Sequence, residues 1–374
     1  QRQMCIRDRE IDPGCKIGMG WNEFDLSSLQ QVIEQGAGGC FDFVTVHPYA
    51  MLDRVMKGRE EAFLGMSKNF RKMLRLTGQR EDIELLVTEI GYQAKEGDAH
   101  SERKQAEALI KAYTLCLVQG ISKVFWFEGR GPSYGEGGSF GLIRRDWTKR
   151  PSFQALKTLT ALLGSKPRYL GWLDLSPGDR FFVFEGRQGA VLVGWAAGEG
   201  ERIVLPPGVR VVDFKGETIP LEPNREINLS TMPFFITNIP KSWVARALRN
   251  IDKPFPWRKD YSAAKEVRWT LGKDGRDLME GLYLVNPEAT EVVKVSSAFA
   301  RRTNRSKKAF YLEFDVDDSF VSIGNRAVEV TVIARRLDEH QPAGTGCNLI
   351  YESLKGYRHI DDWWTIPSEP GWHK

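Results

Sequence analysis

Over roughly the first 160 residues, short apolar runs alternate with longer segments in which apolar residues recur every three or four positions. Phe43-Val-Thr-Val-His47, Leu85-Leu-Val-Thr-Glu89 and Lys123-Val-Phe-Trp126-Phe-Glu128 are runs of about five residues, the length of a strand buried on both faces in a parallel sheet. Between them the helical period returns. Glu102 to Gln119 places Ala106, Leu109, Ile110, Tyr113 and Leu117 on one face, with Ser101 as the expected N-cap and Gly120 as the stop. Ala62 to Leu76 does the same with Phe63, Met66, Phe70, Met73 and Leu74, and Gly78 closes it. Upstream, Lys16-Ile-Gly-Met reads as a weaker strand, and Ser28 to Gln35 as a short helix capped by Ser27 and ended at Gly36. Strand and helix in strict alternation predict βα units and a parallel sheet.

After Gly164 the texture changes. Arg180-Phe-Phe-Val-Phe184, Ala190 to Trp195, Arg202 to Leu205 and Val209 to Phe214 are short runs divided by Gly and Pro turns, which predicts a small antiparallel β-sandwich over 165–240, ending near Pro233-Phe-Phe-Ile236. A stretch rich in Pro, Lys and Arg, about Lys241 to Tyr261, reads as a linker into a third, β-rich region over 241–374. Its clearest expected strands are Phe310 to Val316 and Ala327 to Ile333.

Each of the three first runs ends in a His, a Glu or a Trp, the residue types that a sugar-cleaving site uses, and in a parallel barrel strand C-termini open onto the active face. The motifs Phe41-Asp-Phe-Val-Thr-Val-His47-Pro-Tyr49, Val87-Thr-Glu89-Ile-Gly-Tyr92, Val124-Phe-Trp126-Phe and Gly141-Leu-Ile-Arg-Arg-Asp-Trp-Thr-Lys-Arg-Pro151 follow one another at one-βα-unit spacing. In that order they resemble strands six, seven and eight and the closing segment of the clan A glycoside hydrolases, nearest the group of β-xylosidases and α-iduronidases. The resemblance spans residues 11–164 and rests on the order of the motifs, none of which is decisive alone. It implies the C-terminal half of a (β/α)8 barrel followed by β-sandwich or jelly-roll-like accessory regions. It also implies a retaining glycosidase acting on oligo- or polysaccharides, with Glu89 as nucleophile and His47, Tyr49 and Trp126 lining the sugar subsite. Tyr92 and Glu128 complete the expected substrate-binding set.

Competing structural readings stand beside these roles. Glu89 also fits a rim carboxylate in an ion pair, His47 a satisfied core histidine, and Trp126 a core aromatic. Glu128 either binds a hydroxyl or meets Arg130. A retaining glycosidase needs a second carboxyl group about 5 Å from the first, as the acid/base. Trp21-Asn22-Glu23-Phe24 looks like the Asn-Glu that supplies it in the resembled clan, at the end of strand four. However, only one strand-like run, Phe43 to Val46, separates Glu23 from Leu85 where two are needed. Glu23 therefore falls after strand five and is expected not to be the acid/base.

That numbering leaves strands one to four unaccounted for, since such a barrel takes about 250 residues. The chain is thus expected to be a fragment, with residues 1–10 reading as a non-native leader. The alternative function is a noncatalytic carbohydrate-binding protein with a degenerate barrel.

Composition narrows the partners. A formal charge of +4 over 374 residues, with no basic run interleaved with aromatics, argues against nucleic acid. No apolar stretch reaches the roughly 18 residues of a membrane span. The five cysteines, Cys5, Cys15, Cys40, Cys116 and Cys347, form no CxxC pair and no metal-ligand spacing, and no cofactor is implied. Asp315, Asp317 and Asp318 have incomplete calcium-ligand spacing and read as a solvated turn. Trp363, Trp364 and Trp372 are either a sugar-stacking platform or core.

Overall fold

The computed structural model describes residues 2–132, 138–198, 200–324, 326–337, 344–353, 356–360 and 362–374, excepting the side chains of residues 2–6 and 305. The chain forms two compact units, residues 1–25, 39–74 and 79–258 in the first and residues 26–38, 75–78 and 259–374 in the second. Along the first half of the chain run α1 (Arg2–Ile11), β1 (Gly18–Gly20), α2 (Leu26–Val32), β2 (Phe43–Val46), α3 (Tyr49–Met56), α4 (Glu60–Leu64), α5 (Met66–Leu76), β3 (Glu84–Ile90), α6 (Ala99–Val118), β4 (Val124–Trp126) and α7 (Pro151–Leu163).

Four strands pair in sequence order, β1-β2-β3-β4, all parallel. Gly18 lies opposite Phe43, Val44 opposite Leu85 and Val87 opposite Val124, and the register shifts before Ile90 meets Trp126. Val44, Val46, Leu85, Val87 and Ile90 are buried, as the unbroken apolar runs require when helices cover a parallel sheet. The expected helix over 62–76 is broken at Gly65 into α4 and α5, and its apolar stripe of Phe63, Met66, Phe70, Met73 and Leu74 is fully buried. α6 begins at Ala99, three residues before the expected start at Glu102. Asp98 is its N-cap, its carboxylate accepting the Ser101 N–H at 3.0 Å, while the Ser101 hydroxyl accepts the Lys95 N–H.

Next come β5 (Arg168–Trp172), β6 (Arg180–Gly186), β7 (Gly189–Trp195), β8 (Arg202–Val204), β9 (Arg210–Val212), β10 (Thr218–Ile219), β11 (Glu226–Asn228), β12 (Phe234–Thr237) and α8 (Lys241–Asn250). Six of the strands form one sheet in the order β10-β9-β12-β7-β6-β5, and β8 pairs with β11. Leu170, Phe181, Val183, Leu192, Val211 and Ile236 of the sheet pack on Ile203, Leu205, Ile227 and Leu229 of the β8–β11 layer and on Ala247 of α8. The expected linker thus begins as a helix, because Trp243, Val244 and Ala247 lie on one face and cover this core. It continues into a cluster in which Phe255 stacks on Trp257 with centroids 4.9 Å apart, against Trp172 and Phe182.

The opposite face of the six-stranded sheet meets the helices of the parallel layer. Trp195 donates its indole N–H to Glu60 of α4 at 3.1 Å, and Arg180 bonds the other oxygen of that carboxylate at 2.7 Å. α6 packs on both α7 and β5, which explains why it buries polar residues such as Gln105, Glu107 and Lys111 along with its apolar face.

Among the described residues, the strands of the second unit pair two at a time. They are β13 (Arg268–Leu271) with β14 (Asp277–Glu280), β15 (Leu282–Leu284) with β18 (Phe314–Val316), β16 (Thr290–Val295) with β17 (Ala298–Thr303), β19 (Gly346–Cys347) with β22 (Trp364–Thr365), and β20 (Ile350–Ser353) with β21 (Gly356–His359). Of the strand expected over 310–316 only Phe314–Val316 forms. Residues 327–333 form no strand, since their alternation buries neither face and Val328, Val330 and Val332 are exposed. The three tryptophans have different neighbours. Trp363 donates to the Gly344 carbonyl, Trp364 pairs in β22 with Cys347, and Arg335 lies over Trp372. Asp317 is occupied by the Ser319 N–H and hydroxyl and by Tyr283, which is turn capping.

Candidate active site

β2 delivers His47 and Tyr49 at its C-terminal end, and β3 delivers Thr88 and Glu89 beside them because Val46 pairs with Val87. The Tyr49 hydroxyl donates to Glu89 Oε1 at 2.6 Å. Glu89 Oε2 lies 3.9 Å from His47 Nδ1, and His47 Nε2 is 3.2 Å from the Thr88 hydroxyl. Both His47 and Glu89 keep about a quarter to a third of their side-chain surface in water, at 27% and 33%. The carboxylate is therefore held by one short hydrogen bond and remains reachable from outside.

The end of β4 closes over this pair. Gly91 sits where a Cβ would come within 2.3 Å of the Phe127 carbonyl, so only glycine lets the two strand ends approach. The Phe140 ring packs edge-on against Tyr49 at 5.8 Å and against Phe127 at 5.6 Å. Trp126 donates its indole N–H to the Phe140 carbonyl at 3.0 Å, which ties it to the same shell. Behind it, burial pushes the Tyr113 phenol up to about 12 against the opposing effect of a hydrogen bond from the Trp126 N–H. Glu128 is buried, with its carboxylate over Gly131, where a Cβ would meet Oε1 at 2.1 Å. Arg130 turns instead to the Arg145 carbonyl and the Trp147 ring.

Loss of surrounding water raises the Tyr49 phenol far above its ordinary range, and so do its hydrogen bond to Glu89 and the charges of Glu89, Glu128 and Glu23. Tyr49 therefore stays protonated and acts as a donor. Glu23 belongs to this neighbourhood. Its carboxyl is raised by desolvation, which outweighs a hydrogen bond from the Ala50 N–H and the field of His47. Asp53 of α3 is also raised, by desolvation first.

The structure thus brings His47, Tyr49 and Glu89 into contact, puts Glu128 and Glu23 within electrostatic reach of Tyr49, and sets Trp126 one residue further out. Burial raises the Tyr92 phenol, and the charges of Asp53 and Glu107 add to it. Sequence reasoning passed over Phe140, which has no motif of its own, and the polar scaffold behind the strand ends. In that scaffold Gln105 of α6 donates to the carbonyls of Tyr92 and Ser139 and accepts from Ser152 of α7. Glu102 accepts from Arg144 and from the fully buried Arg150, both at 2.9 Å.

A cavity of about 420 Å³ lies away from this group, at the N-terminal ends of the strands, lined by Arg9, Lys16, Phe41, Asp42, Gln79 and Arg80 among others. Among the described residues no group of three or more His, Cys, Asp or Glu could hold a metal ion, and no helix is long and apolar enough to cross a membrane. Cys15, Cys40, Cys116 and Cys347 are free, and the Cys5 side chain lies outside the described residues.

No protein-family model and no curated protein matches the chain. Solved structures do. One is a family 39 glycoside hydrolase from the gut symbiont Bacteroides cellulosilyticus WH2, at 21% identity over 55% of this chain and 46% of that one, with a TM-score of 0.43. A GH30 endoxylanase from Clostridium papyrosolvens C71 matches at 11% identity over 63% of this chain and 60% of that one, with a TM-score of 0.37. A family 51 α-L-arabinofuranosidase from Bifidobacterium longum matches at 10% identity over 63% and 61%, with a TM-score of 0.38. The chain spans less than two thirds of each of these proteins, and about half of the first.

Proposed function

We propose that the chain carries the nucleophile half of a retaining glycoside hydrolase of clan A type, nearest the β-xylosidase and α-iduronidase group. In this reading residues 11–164 are barrel strands five to eight with their helices, 165–240 a small accessory β domain, and 241–374 a linker followed by a β-sandwich carbohydrate-binding-like region. Glu89 is the nucleophile, and His47, Tyr49, Trp126 and Glu128 line the sugar subsite, with Tyr92 behind them. The observation that carries the proposal is the half-buried but solvent-reachable Glu89 carboxylate at a strand C-terminus, held on one oxygen by Tyr49 at 2.6 Å with His47 beside the other. Fixing Oε1 leaves Oε2 to attack an anomeric carbon, and the Tyr49 donor can follow charge as it leaves the carboxylate.

Labelling tests this without requiring a general acid. In a 2-deoxy-2-fluoro-glycosyl fluoride the C1–F bond breaks as a carboxylate oxygen bonds C1, and fluoride leaves unprotonated. We expect a panel of such reagents to include one that adds a single glycosyl mass to the chain. Peptide mapping should place it on Glu89, and Glu89→Gln should abolish it. A carbohydrate-binding protein without the nucleophile would show no adduct, and an adduct mapped to another carboxylate would overturn the assignment.

A further inference from the structure

β3 does not run evenly through the site. Val87 pairs with Val124 and Ile90 with Trp126, so three residue steps on β3 match two on β4, and one extra residue is taken up between Val87 and Ile90. In an even strand Thr88 and Glu89 would point to opposite faces. Here both reach the His47 ring, one position beyond the Val46–Val87 pair of β2 and β3. His47 Nε2 is 3.2 Å from the Thr88 hydroxyl, and Nδ1 is 3.9 Å from Glu89 Oε2. A neutral imidazole carries one proton, and the hydrogen bond made by one nitrogen decides which of the two holds it. With the proton on Nε2, a lone pair on Nδ1 would face the carboxylate. With the Thr88 hydroxyl donating to Nε2, the proton sits on Nδ1 and the N–H faces Oε2, which the charge of the carboxylate favours. A separation of 3.9 Å is too long for a hydrogen bond, so Oε2 keeps its freedom to attack.

We propose that Thr88 is a positioning residue of the Glu89 site, its hydroxyl donating to His47 Nε2 so that the Nδ1–H is presented beside the attacking oxygen. Its part in the reaction rests on the glycosidase reading above, whereas the tautomer of His47 does not. Thr88→Val keeps the branched shape and removes the donor, and Thr88→Ser keeps the donor.

The experiment labels the histidines of the 374-residue chain with ¹⁵N and records long-range ¹H–¹⁵N spectra, which tell an Nδ1–H imidazole from an Nε2–H one. The pH is set about two units above the ordinary imidazole range so that the rings are neutral. His47→Gln assigns the His47 signals by their loss, and circular dichroism checks the fold of each variant. We expect the Nδ1–H form for His47 in the parent and in Thr88→Ser, and loss of that preference in Thr88→Val. The rate of Glu89 labelling by the activated fluoro-sugar should fall by about two- to tenfold in Thr88→Val and recover in Thr88→Ser, the range expected for one neutral hydrogen bond. An Nε2–H form in the parent overturns the proposal, whether or not Thr88→Val folds. So does an Nδ1–H form that persists in Thr88→Val, or a labelling rate that this variant leaves unchanged. Any of these with Glu89 still labelled leaves the glycosidase reading standing. A parent that forms no Glu89 adduct overturns that reading, and with it the part in the reaction given to Thr88.

Discussion

Tyr49 shows how one hydrogen bond can set the behaviour of a site. Its phenol is raised by burial and by the charges of neighbouring carboxylates, so it is held as a hydrogen-bond donor beyond the pH at which a free tyrosine ionises. Removing it in Tyr49→Phe leaves the ring and its edge contact with Phe140 in place but frees the Glu89 carboxylate to rotate. A hydrogen bond to a charged group is worth about 1.5–3 kcal/mol. We therefore expect the rate of Glu89 labelling by an activated fluoro-sugar to fall by about ten- to a hundredfold, with little change in thermal stability. A variant labelled as fast as the parent would show that Tyr49 does not orient the nucleophile. His47, Tyr49 and Glu89 were legible because each ends or follows an apolar run, and strand pairing converts that shared position into contact. The edge-on packing of Phe140 against Tyr49 was not, because it depends on where a loop backbone goes after β4 ends. No periodicity encodes that path.

At the scale of elements, local pattern was sufficient where one face met one core, as in α5, or where an unbroken apolar run was covered on both faces, as in β3. It failed where burial came from distant chain. α8 was hidden in a basic, Pro-flanked segment because its apolar face is narrow and its partner, β5, lies about 75 residues upstream. Gly171 marks that contact. Its φ is 119° and a Cβ there would lie 1.9 Å from the Ala247 carbonyl, so Gly171→Ala should cost about 2–4 kcal/mol and lower the denaturant midpoint without changing the slope. An unchanged midpoint would mean that α8 does not seat on β5.

α4 offers a pH test of the same layer. Desolvation is the main cause raising the Glu61 carboxyl, and neighbouring Glu60 adds to it, while Arg180 is taken chiefly by Glu60. A carboxyl raised by folding favours the native state once protonated. That stabilisation is full below its unfolded value near 4.5 and is lost as pH rises through the folded value. Glu61→Gln should therefore raise Tm at pH 7 by on the order of 2 °C, with the gain shrinking toward pH 4. A lower Tm at pH 7 would show that its 3.8 Å pairing with Arg180 outweighs burial.

For the whole molecule, the parallel order of the four strands could be read in advance because each helix-length gap returns the chain to the neighbouring strand. The bond between Glu60 and Arg180, 120 residues apart, could not, since nothing local announces it. The chemistry of the complete chain follows from what Glu89 touches. Among the described residues its hydrogen-bond and ion-pair contacts are with Tyr49 and His47, and the proposed reading assigns no carboxyl of the chain as acid/base. General acid catalysis is worth about 10²- to 10⁴-fold and matters most when the leaving group is a poor one. The chain should thus form the covalent adduct with activated fluorides yet release no methanol from methyl glycosides at a measurable enzymatic rate. β1 and β4 are the outer strands of the parallel sheet, and Phe125 on β4 is 55% exposed, so the purified chain should also self-associate as concentration rises. Light scattering alongside the methyl glycoside assay checks both outcomes. Turnover of a methyl glycoside that Glu23→Gln abolishes would make Glu23 the acid/base and β1 the strand that carries it, and would replace the strand numbering.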